Sequence, residues 1–340
     1  MVLYLIIQYF AEFCLCSLIV TILSIVCVRF IGEKNVPCKC TARLDGKTVL
    51  VTGGSMGIGL ATARDLARRG ARLILTCVNE HTAKAAAEEL IATTGNQDIH
   101  YRQLDLSSFD NIQNFAQDIN ENFDKLHILL NNAGKSCQPT DKIRITEDGI
   151  ESTMQVNFVG GALLTLLLLP KLNASKPSRI VNTSSKAFKT HQFILDDITT
   201  YRPIFAWKIY SNSKLCVLLW TKALSRRLPD GITANALHPG TVNTNIYVTK
   251  NDRLMNYIFT MLVRFVFKTP AEGAQTSIHC CVASSLEGVT GQYLADCQIS
   301  ESVEAFDDFE YTEKIWEKTM AVIKSRLPDE VLKQVTASQK

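Results

Sequence analysis

The stretch Lys47–Gly59 reads KTVLVTGGSMGIG, and residues 60–69, LATARDLARR, follow it. It begins with a short β-branched run and continues with glycines, and the residues after it have the apolar spacing of a helix. The order strand, glycine turn, helix is typical of a site that binds the phosphates of a dinucleotide. Gly53 is expected to permit the tight turn, Gly57 to admit the pyrophosphate, and Gly59 to let the helix pack on the sheet.

The glycine spacing is GxxxGxG rather than GxGxxG. A glycine-rich β–α turn that binds no nucleotide therefore remains an alternative for this motif taken alone. If a dinucleotide does bind, the amides at the helix N-terminus face its phosphates. The predicted cofactor-binding residues of the turn are Gly53, Ser55, Met56, Gly57, Ile58 and Gly59.

Strands and helices continue to alternate along the chain. Further predicted strands are Arg72–Cys77, Ile99–Leu104, Leu126–Leu130, Arg179–Ser184 and Ile232–Leu237; predicted helices are Glu80–Thr93, Ile145–Lys171 and Trp207–Arg227. Ser107 is expected to cap the helix after the third strand. This order predicts an α/β domain at residues 44–300 with a doubly wound, mostly parallel sheet. Thr52, Asp105, Asn131 and Ser185 all follow strand ends, where such sheets bind ligands.

Composition limits the classes of protein to consider. The chain has 340 residues, of which 46% are hydrophobic, and its net charge is only +3, so nucleic acid is not an expected partner. The eleven cysteines are scattered, without the paired spacing of a zinc site, so we expect reduced thiols and no metal. Cys38 and Cys40 follow the apolar N-terminus and are either acylated or unmodified.

The N-terminus from Val2 to Val28 is almost wholly apolar, broken by Gln8 and Glu12. It predicts a transmembrane helix within an anchor at residues 1–31, joined to the domain by a linker at residues 32–43. Positive charge lies only on its C-terminal side, which places the domain in the cytosol. A cleaved signal peptide, and hence a secreted soluble protein, remains the alternative.

Residues 210–214 read Tyr-Ser-Asn-Ser-Lys. Residues at i and i+4 share one helix face, so Tyr210 and Lys214 can act together. An ammonium beside a phenol favours the phenolate, which predicts a general acid/base at neutral pH. An ordinary helix surface would carry the same pattern by chance, so the pair alone decides little.

Six motifs follow one another in a set order: TGGSMGIG, NNAG at Asn131–Gly134, Asn157, the Ser184-Ser185 pair, YSNSK, and HPG at His238–Gly240. The chain therefore resembles the short-chain dehydrogenase/reductase family over residues 44–300, which implies a Rossmann fold. The amino-acid sequence of the first βαβ unit is most similar to that of the retinol dehydrogenase-like branch. That branch contains membrane-anchored enzymes acting on lipophilic alcohols and aldehydes.

The resemblance implies roles for individual residues. The implied catalytic residues are Asn157, Ser185, Tyr210 and Lys214: Tyr210 is the acid/base, Lys214 lowers its pKa and holds the ribose, Ser185 binds the substrate oxygen, and Asn157 holds a relay water. Further implied cofactor contacts are Asp105, Leu106, Asn131, Ala133, Gly134, Tyr210, Lys214, Pro239, Gly240 and Thr244.

The choice between NAD and NADP is set at the end of the second strand. An acidic side chain there would bind the ribose 2′-hydroxyl of NAD, and a basic side chain would bind the 2′-phosphate of NADP. This chain has neither, because Thr76-Cys77-Val78-Asn79 stands there and Met56 is also neutral. The absence of an acid favours NADP(H), and NAD(H) remains an alternative.

The predicted function is hydride transfer between the nicotinamide and a lipophilic alcohol or carbonyl such as a retinoid, steroid, isoprenoid or fatty aldehyde. The expected location is the endoplasmic reticulum membrane, with the domain facing the cytosol. A catalytically silent redox sensor or scaffold is the alternative. Asn251–Lys268 is predicted to form a lid over the site, a helix on the membrane surface or part of the core. Residues 301–340 are predicted to be a helical extension, in which Glu310–Arg326 packs on the domain or forms the contact of a homodimer.

Overall fold

The computed structural model describes residues 17, 35–136, 143–190, 198–199, 207–242, 267–300 and 304–337. Within them, eight strands form one sheet in the order β3-β2-β1-β4-β5-β6-β7-β8. The strands are β1 Thr48–Val51, β2 Arg72–Cys77, β3 Ile99–Gln103, β4 Ile128–Asn131, β5 Ser178–Thr183, β6 Ile232–His238, β7 Tyr293–Ala295 and β8 Gln298–Ile299. Only the β7–β8 pairing is antiparallel. The predicted mostly parallel sheet is confirmed.

Helices cover both faces of the sheet. They are α1 Gly57–Arg68, α2 Glu80–Thr94, α3 Phe109–Asn122, α4 Ser152–Met154, α5 Gly160–Leu167, α6 Leu169–Ala174, α7 Trp207–Ser225, α8 Pro270–Val282, α9 Glu304–Asp307, α10 Phe309–Ile323 and α11 Asp329–Ala337. Side chains of α1, α2 and α8 form one core, and those of α3, α5 and α7 form the other. The strand order reverses between β1 and β4, and a crevice opens there beyond the strand ends.

The predicted helix at Ile145–Lys171 begins later than expected. Ile145 instead pairs with Glu151 across a turn in which Gly149 has φ +78°. The Glu151 carboxylate then accepts the amides of Thr153 and Met154 and so caps α4. A π turn at Gln155–Val159 links α4 to α5 and carries Asn157.

The C-terminal helices are part of the domain core. Helix α10 packs on α7 and buries Ile315 and Trp316. Arg227, which is 3% exposed, lies over the Trp316 ring at 4.4 Å and forms an ion pair with Glu313. These contacts support the alternative in which Glu310–Arg326 packs on the domain. The homodimer stays a prediction.

Residues 35–44 lie against two helices. The amide of Cys38 donates to Gln275 of α8 at 2.9 Å, and Arg69 donates to the carbonyls of Cys40 and Ala42 at 2.8 and 2.9 Å. The described part of the predicted linker is therefore held on the domain. The predicted anchor at 1–31 lies, apart from Ser17, outside the described residues. Across the part of the chain that the structure describes, no helix is both long enough and apolar enough to cross a membrane.

Candidate active site

The glycine turn after β1 is tightly built. Gly53 and Gly57 adopt φ +62° and +56°, in the left-handed region that favours glycine. A Cβ on Gly59 would lie 2.2 Å from the Gly53 carbonyl oxygen and 2.5 Å from Nδ2 of Asn132. The absence of a side chain at Gly59 therefore lets α1 lie against the Gly53 carbonyl and Asn132. We had expected it to let the helix pack on the sheet. Helix α1 begins at Gly57, so its first residues belong to the turn.

Asn132 braces this turn from the neighbouring strand. Its Nδ2 donates to the carbonyls of Thr52 and Gly53 at 3.0 and 3.3 Å. In return, the Thr52 hydroxyl accepts the amides of Asn132 and Ala133 at 2.9 and 3.0 Å. We missed Asn132 in the sequence, although it lies inside the NNAG motif.

A cleft of about 820 Å³ opens at the strand ends. This volume is within the range of ligand sites in proteins. Predicted site residues that line it are Gly53, Ser55, Met56, Gly57, Ile58, Gly59, Asp105, Leu106, Ala133, Gly134, Ser185, Tyr210, Lys214, Pro239 and Gly240. Asn131 and Asn157 lie behind it, and Thr244 is outside the described residues.

Lys214 is buried beside the cleft. It is 4% exposed, and its Nζ donates to the Thr183 carbonyl at 2.9 Å. The same Nζ lies 5.8 Å from the centroid of the Tyr210 ring. Burial lowers the pKa of Lys214 to about 8, so the group is still mostly an ammonium at pH 7. The Ser184 hydroxyl donates to the Lys214 carbonyl at 2.7 Å, which ties α7 to the end of β5.

Asn157 links the loop that follows β4 to α7. Its Oδ1 accepts the amide of Lys135 at 2.8 Å, and its Nδ2 donates to the Lys135 carbonyl at 2.9 Å and to the Ser213 hydroxyl at 3.0 Å. A Cβ on Gly134 would lie 3.3 Å from Oδ1 of Asn157 and 3.4 Å from Nζ of Lys214. The chain after β4 therefore passes close to both side chains, and the relay water at Asn157 stays a prediction.

Asn131 connects strands below the cleft. Its Nδ2 donates to the Thr165 hydroxyl at 2.9 Å and to Oδ1 of Asn182 at 2.8 Å, and Nδ2 of Asn182 donates to Thr221 at 2.9 Å. These bonds join β4 and β5 to α5 and α7. Asn131 thus supports the floor of the site.

Ser185 stands at the end of β5, where a 3₁₀ turn at Lys186–Thr190 begins. Its Oγ accepts the Ala187 amide at 3.2 Å. The next amide, of Lys186, donates to Nδ1 of His238 at 3.2 Å, which brings the HPG motif beside Ser185. Gly240 of that motif has φ +90°.

Asp105 shapes the loop after β3. Its Oδ1 accepts the amide and hydroxyl of Ser107 at 2.8 and 2.6 Å. Because Ser107 is used there, Ser108 caps α3 by accepting the Asn111 amide, and the prediction of Ser107 as the cap was wrong.

The edge predicted to hold the ribose is neutral and open. Val78 and Met56 are 58% and 50% exposed and line the cleft with Thr76 and Cys77. Asn79 instead caps α2 by accepting the Thr82 amide at 3.1 Å.

Some lining residues were not predicted from the sequence. Lys135 and Arg144 bring basic groups to the cleft, and Ile145 and Val156 bring apolar ones. Nζ of Lys135 donates to the Ser152 hydroxyl at 2.7 Å. Lys135 directly follows the NNAG motif, whereas Arg144, Ile145 and Val156 lie further along the chain, Val156 in the π turn, and no motif marks them.

The buried Lys214 predicts a pH-dependent stability. Its pKa is about 8 in the folded chain against 10.5 for an unperturbed lysine, so burying the ammonium costs free energy below pH 8, and the cost disappears as pH rises to 10.5. Relative to a Lys214→Met variant, the wild-type chain should gain roughly 3 kcal/mol of unfolding free energy between pH 7 and 10.5. Urea unfolding of both cofactor-free proteins in detergent measures this difference. A gap that stays constant with pH would contradict it.

The fold and the cleft define a class: doubly wound α/β proteins that bind a dinucleotide at a glycine turn. The short chain dehydrogenase family model matches residues 47–254. Retinol dehydrogenase 11 of Mus musculus is 40% identical over 264 residues, covering 77% of this chain and 82% of the relative. Retinol dehydrogenase 13 of Homo sapiens is 38% identical over 300 residues, covering 86% and 88%.

Solved structures agree with these sequence relatives. An uncharacterised protein from Mycobacterium paratuberculosis superposes with a TM-score of 0.66 at 27% identity, covering 84% of this chain and 97% of its own. Pseudomonas aeruginosa RhlG, solved with NADP in its active site, has a TM-score of 0.58 at 25% identity, covering 74% and 95%.

The chain belongs to the short-chain dehydrogenase/reductase family and to its retinol dehydrogenase-like branch. It is an NAD(P)-dependent oxidoreductase acting on CH–OH groups. The residues present fit a nicotinamide dinucleotide, because the glycine turn has the left-handed backbone and the close helix approach that such a cofactor requires.

Proposed function

We propose that this protein interconverts a lipophilic alcohol and its carbonyl compound, with Tyr210 as the general acid/base. The observation that carries the proposal is the convergence of Tyr210, Lys214, Ser185 and the glycine turn on one cleft. The three side chains come from α7 and from the end of β5, which the Ser184–Lys214 hydrogen bond holds together.

In the direction of reduction, the hydroxyls of Ser185 and Tyr210 donate to the carbonyl oxygen, and Tyr210 transfers its proton to that oxygen. In oxidation, Tyr210 takes the proton back. The Lys214 ammonium stabilises the phenolate form, and its hydrogen bond to Thr183 holds it in place. The bound nicotinamide supplies or accepts the hydride.

NADP(H) is the cofactor we favour. The support is the neutral edge formed by Thr76, Cys77 and Val78, where an acidic side chain would repel a 2′-phosphate. The same neutrality leaves NAD(H) as the alternative cofactor.

A lipophilic substrate, with retinoids foremost, is supported by two observations. The relatives at about 40% identity are retinol dehydrogenases. In this chain, the apolar side chains of Ile145 and Val156 line the cleft away from the edge predicted to hold the ribose. An N-terminal anchor in the endoplasmic reticulum, with the domain in the cytosol, would give the site access to such compounds and is part of the proposal.

Turnover of a panel of carbonyl compounds tests the proposal. The full chain in detergent is given NADPH or NADH with a retinoid aldehyde, a fatty aldehyde, an isoprenoid aldehyde and a steroid ketone, and loss of the reduced cofactor is followed by absorbance. We expect turnover of at least one lipophilic compound, with kcat/KM about tenfold higher for NADPH, a difference of about 1.4 kcal/mol. Nucleotide binding without turnover of any compound would overturn the proposal and favour a silent sensor.

A further inference from the structure

Three possible metal ligands meet on the side of the domain that holds residues 35–44. Cys38 and Cys40 lie on that segment, and His279 lies on α8. The Sγ atoms of Cys38 and Cys40 lie 4.0 and 3.5 Å from Nδ1 of His279, and all three atoms lie within 4.8 Å of one another. The cluster joins parts of the chain about 240 positions apart, so no spacing in the sequence could reveal it.

These distances fit a tetrahedral zinc ion. Zinc binds thiolate sulfur at about 2.3 Å and imidazole nitrogen at about 2.0–2.1 Å, so the two ligand atoms are about 3.6 Å apart in a tetrahedron. Cys40 already has this separation from His279, and Cys38 is within about half an ångström of it. The cluster needs only a small inward movement of Cys38 to close around an ion.

Cys297 offers the fourth ligand. It lies in the turn between β7 and β8, and its thiol donates to the carbonyl of Val36, two residues before Cys38, at 3.4 Å. Its Sγ is not among the ligand atoms that all lie within 4.8 Å of one another, so the turn that carries Cys297 must move toward Cys38 to complete the set. Three cysteines and one histidine form one of the ligand sets of structural zinc.

The surroundings also suit such a site. Zinc with three thiolates carries one net negative charge, which Arg179 would offset. Arg179 is held close by donating to the Cys280 carbonyl at 3.2 Å.

We propose that Cys38, Cys40, His279 and Cys297 bind one structural Zn²⁺ ion. The ion binds three thiolates and one neutral imidazole, and three thiol protons pass to solvent. His279 is nine residues beyond Pro270, which lines the cleft, and a helix rise of 1.5 Å per residue separates them by about 13 Å. The ion therefore has no part in the reaction and instead ties the segment before β1 to α8 and the β7–β8 turn.

Metal titration of the full chain tests the proposal. The protein is purified in detergent with a reductant, stripped with a chelator, and titrated with Co²⁺ alone and then with Zn²⁺. We expect one Co²⁺ per chain, with thiolate-to-cobalt charge-transfer absorption and the visible bands of a tetrahedral ion, and displacement of Co²⁺ by Zn²⁺. Absence of thiolate-bound Co²⁺ in the wild-type chain would overturn the proposal.

Variants then assign the ligands. Cys40→Ser and His279→Ala should each weaken Zn²⁺ binding by more than the roughly 10–100-fold that changing an outer partner of a metal ligand costs. The matched control is Cys216→Ala, because Cys216 is a fully buried cysteine on α7. Binding that survives both ligand substitutions unchanged would overturn the site.

A measurement on the wild-type chain removes any dependence on variant folding. Zn²⁺ should protect Cys38, Cys40 and Cys297 from alkylation, as read by peptide mass spectrometry, and should leave the half-buried Cys77 as reactive as before. Equal alkylation of all four with and without Zn²⁺ would overturn the proposal. So would an acyl group or a disulfide on Cys38 or Cys40 in chain isolated from membranes, since either removes a ligand. Because no activity is measured, these results are independent of the proposed function.

Discussion

A Tyr210→Phe variant should lose about 10²–10⁴-fold in turnover while its affinity for the nicotinamide cofactor stays within about twofold. The substitution removes one hydroxyl and no ring atom. That hydroxyl is the proposed proton donor and acceptor, and Lys214, whose Nζ lies 5.8 Å from the centre of the ring, is proposed to stabilise its ionised form. The glycine turn that is expected to hold the cofactor phosphates is unchanged.

Turnover is measured with a substrate accepted in the panel, and affinity by quenching of protein fluorescence as cofactor is added. Tyr311→Phe is the matched control, because Tyr311 lies on α10 and packs at the edge of the core. The control should keep wild-type turnover. A Tyr210→Phe protein that retained more than about a tenth of wild-type turnover would remove this residue from the mechanism.

A Gly59→Ala variant should lower the free energy of unfolding by about 2–3 kcal/mol, although alanine is the better helix former. The added Cβ would lie 2.2 Å from the Gly53 carbonyl oxygen and 2.5 Å from Nδ2 of Asn132, so the turn must shift. Since that turn is expected to face the cofactor phosphates, cofactor affinity should fall at least about tenfold, or 1.4 kcal/mol.

The chain offers a matched control in Gly161→Ala. Gly161 lies in α5, and a Cβ there would meet no atom within 4 Å. Because only helix propensity changes, this variant should gain up to about 1 kcal/mol. Urea unfolding compares the two proteins. If both variants gained stability, the close approach of α1 to the turn would be wrong.

The sequence was a good guide wherever a pattern was local. The β-branched runs predicted β1 and β2, and the glycine turn between β1 and α1 lies where its motif placed it. The alternation of strands and helices predicted a doubly wound, mostly parallel sheet, but the order of the strands came only with the structure, because more than one order obeys the same rules.

Predictions failed where a side chain far away or a competing hydrogen bond decided the structure. The start of the long helix depends on Glu151, whose carboxylate caps α4 while Ile145 joins a turn. Ser107 does not cap α3, because its hydroxyl donates a hydrogen bond to Asp105 instead. The hydrogen bonds from Asn132 to the glycine turn and the Cys38–His279 contact join positions that are far apart in the sequence. The periodicity of apolar residues therefore reveals neither of them.

If residues 1–31 span a membrane as predicted, the contacts of residues 35–44 with α8 and Arg69 would limit how far the domain could lie from the bilayer. In that case three residues, 32–34, would separate the anchor from the contacted segment. Three extended residues reach about 10 Å. The domain would then stay within about one lipid headgroup layer of the surface, and an oily substrate would reach the cleft by lateral diffusion in lipid rather than by crossing bulk water.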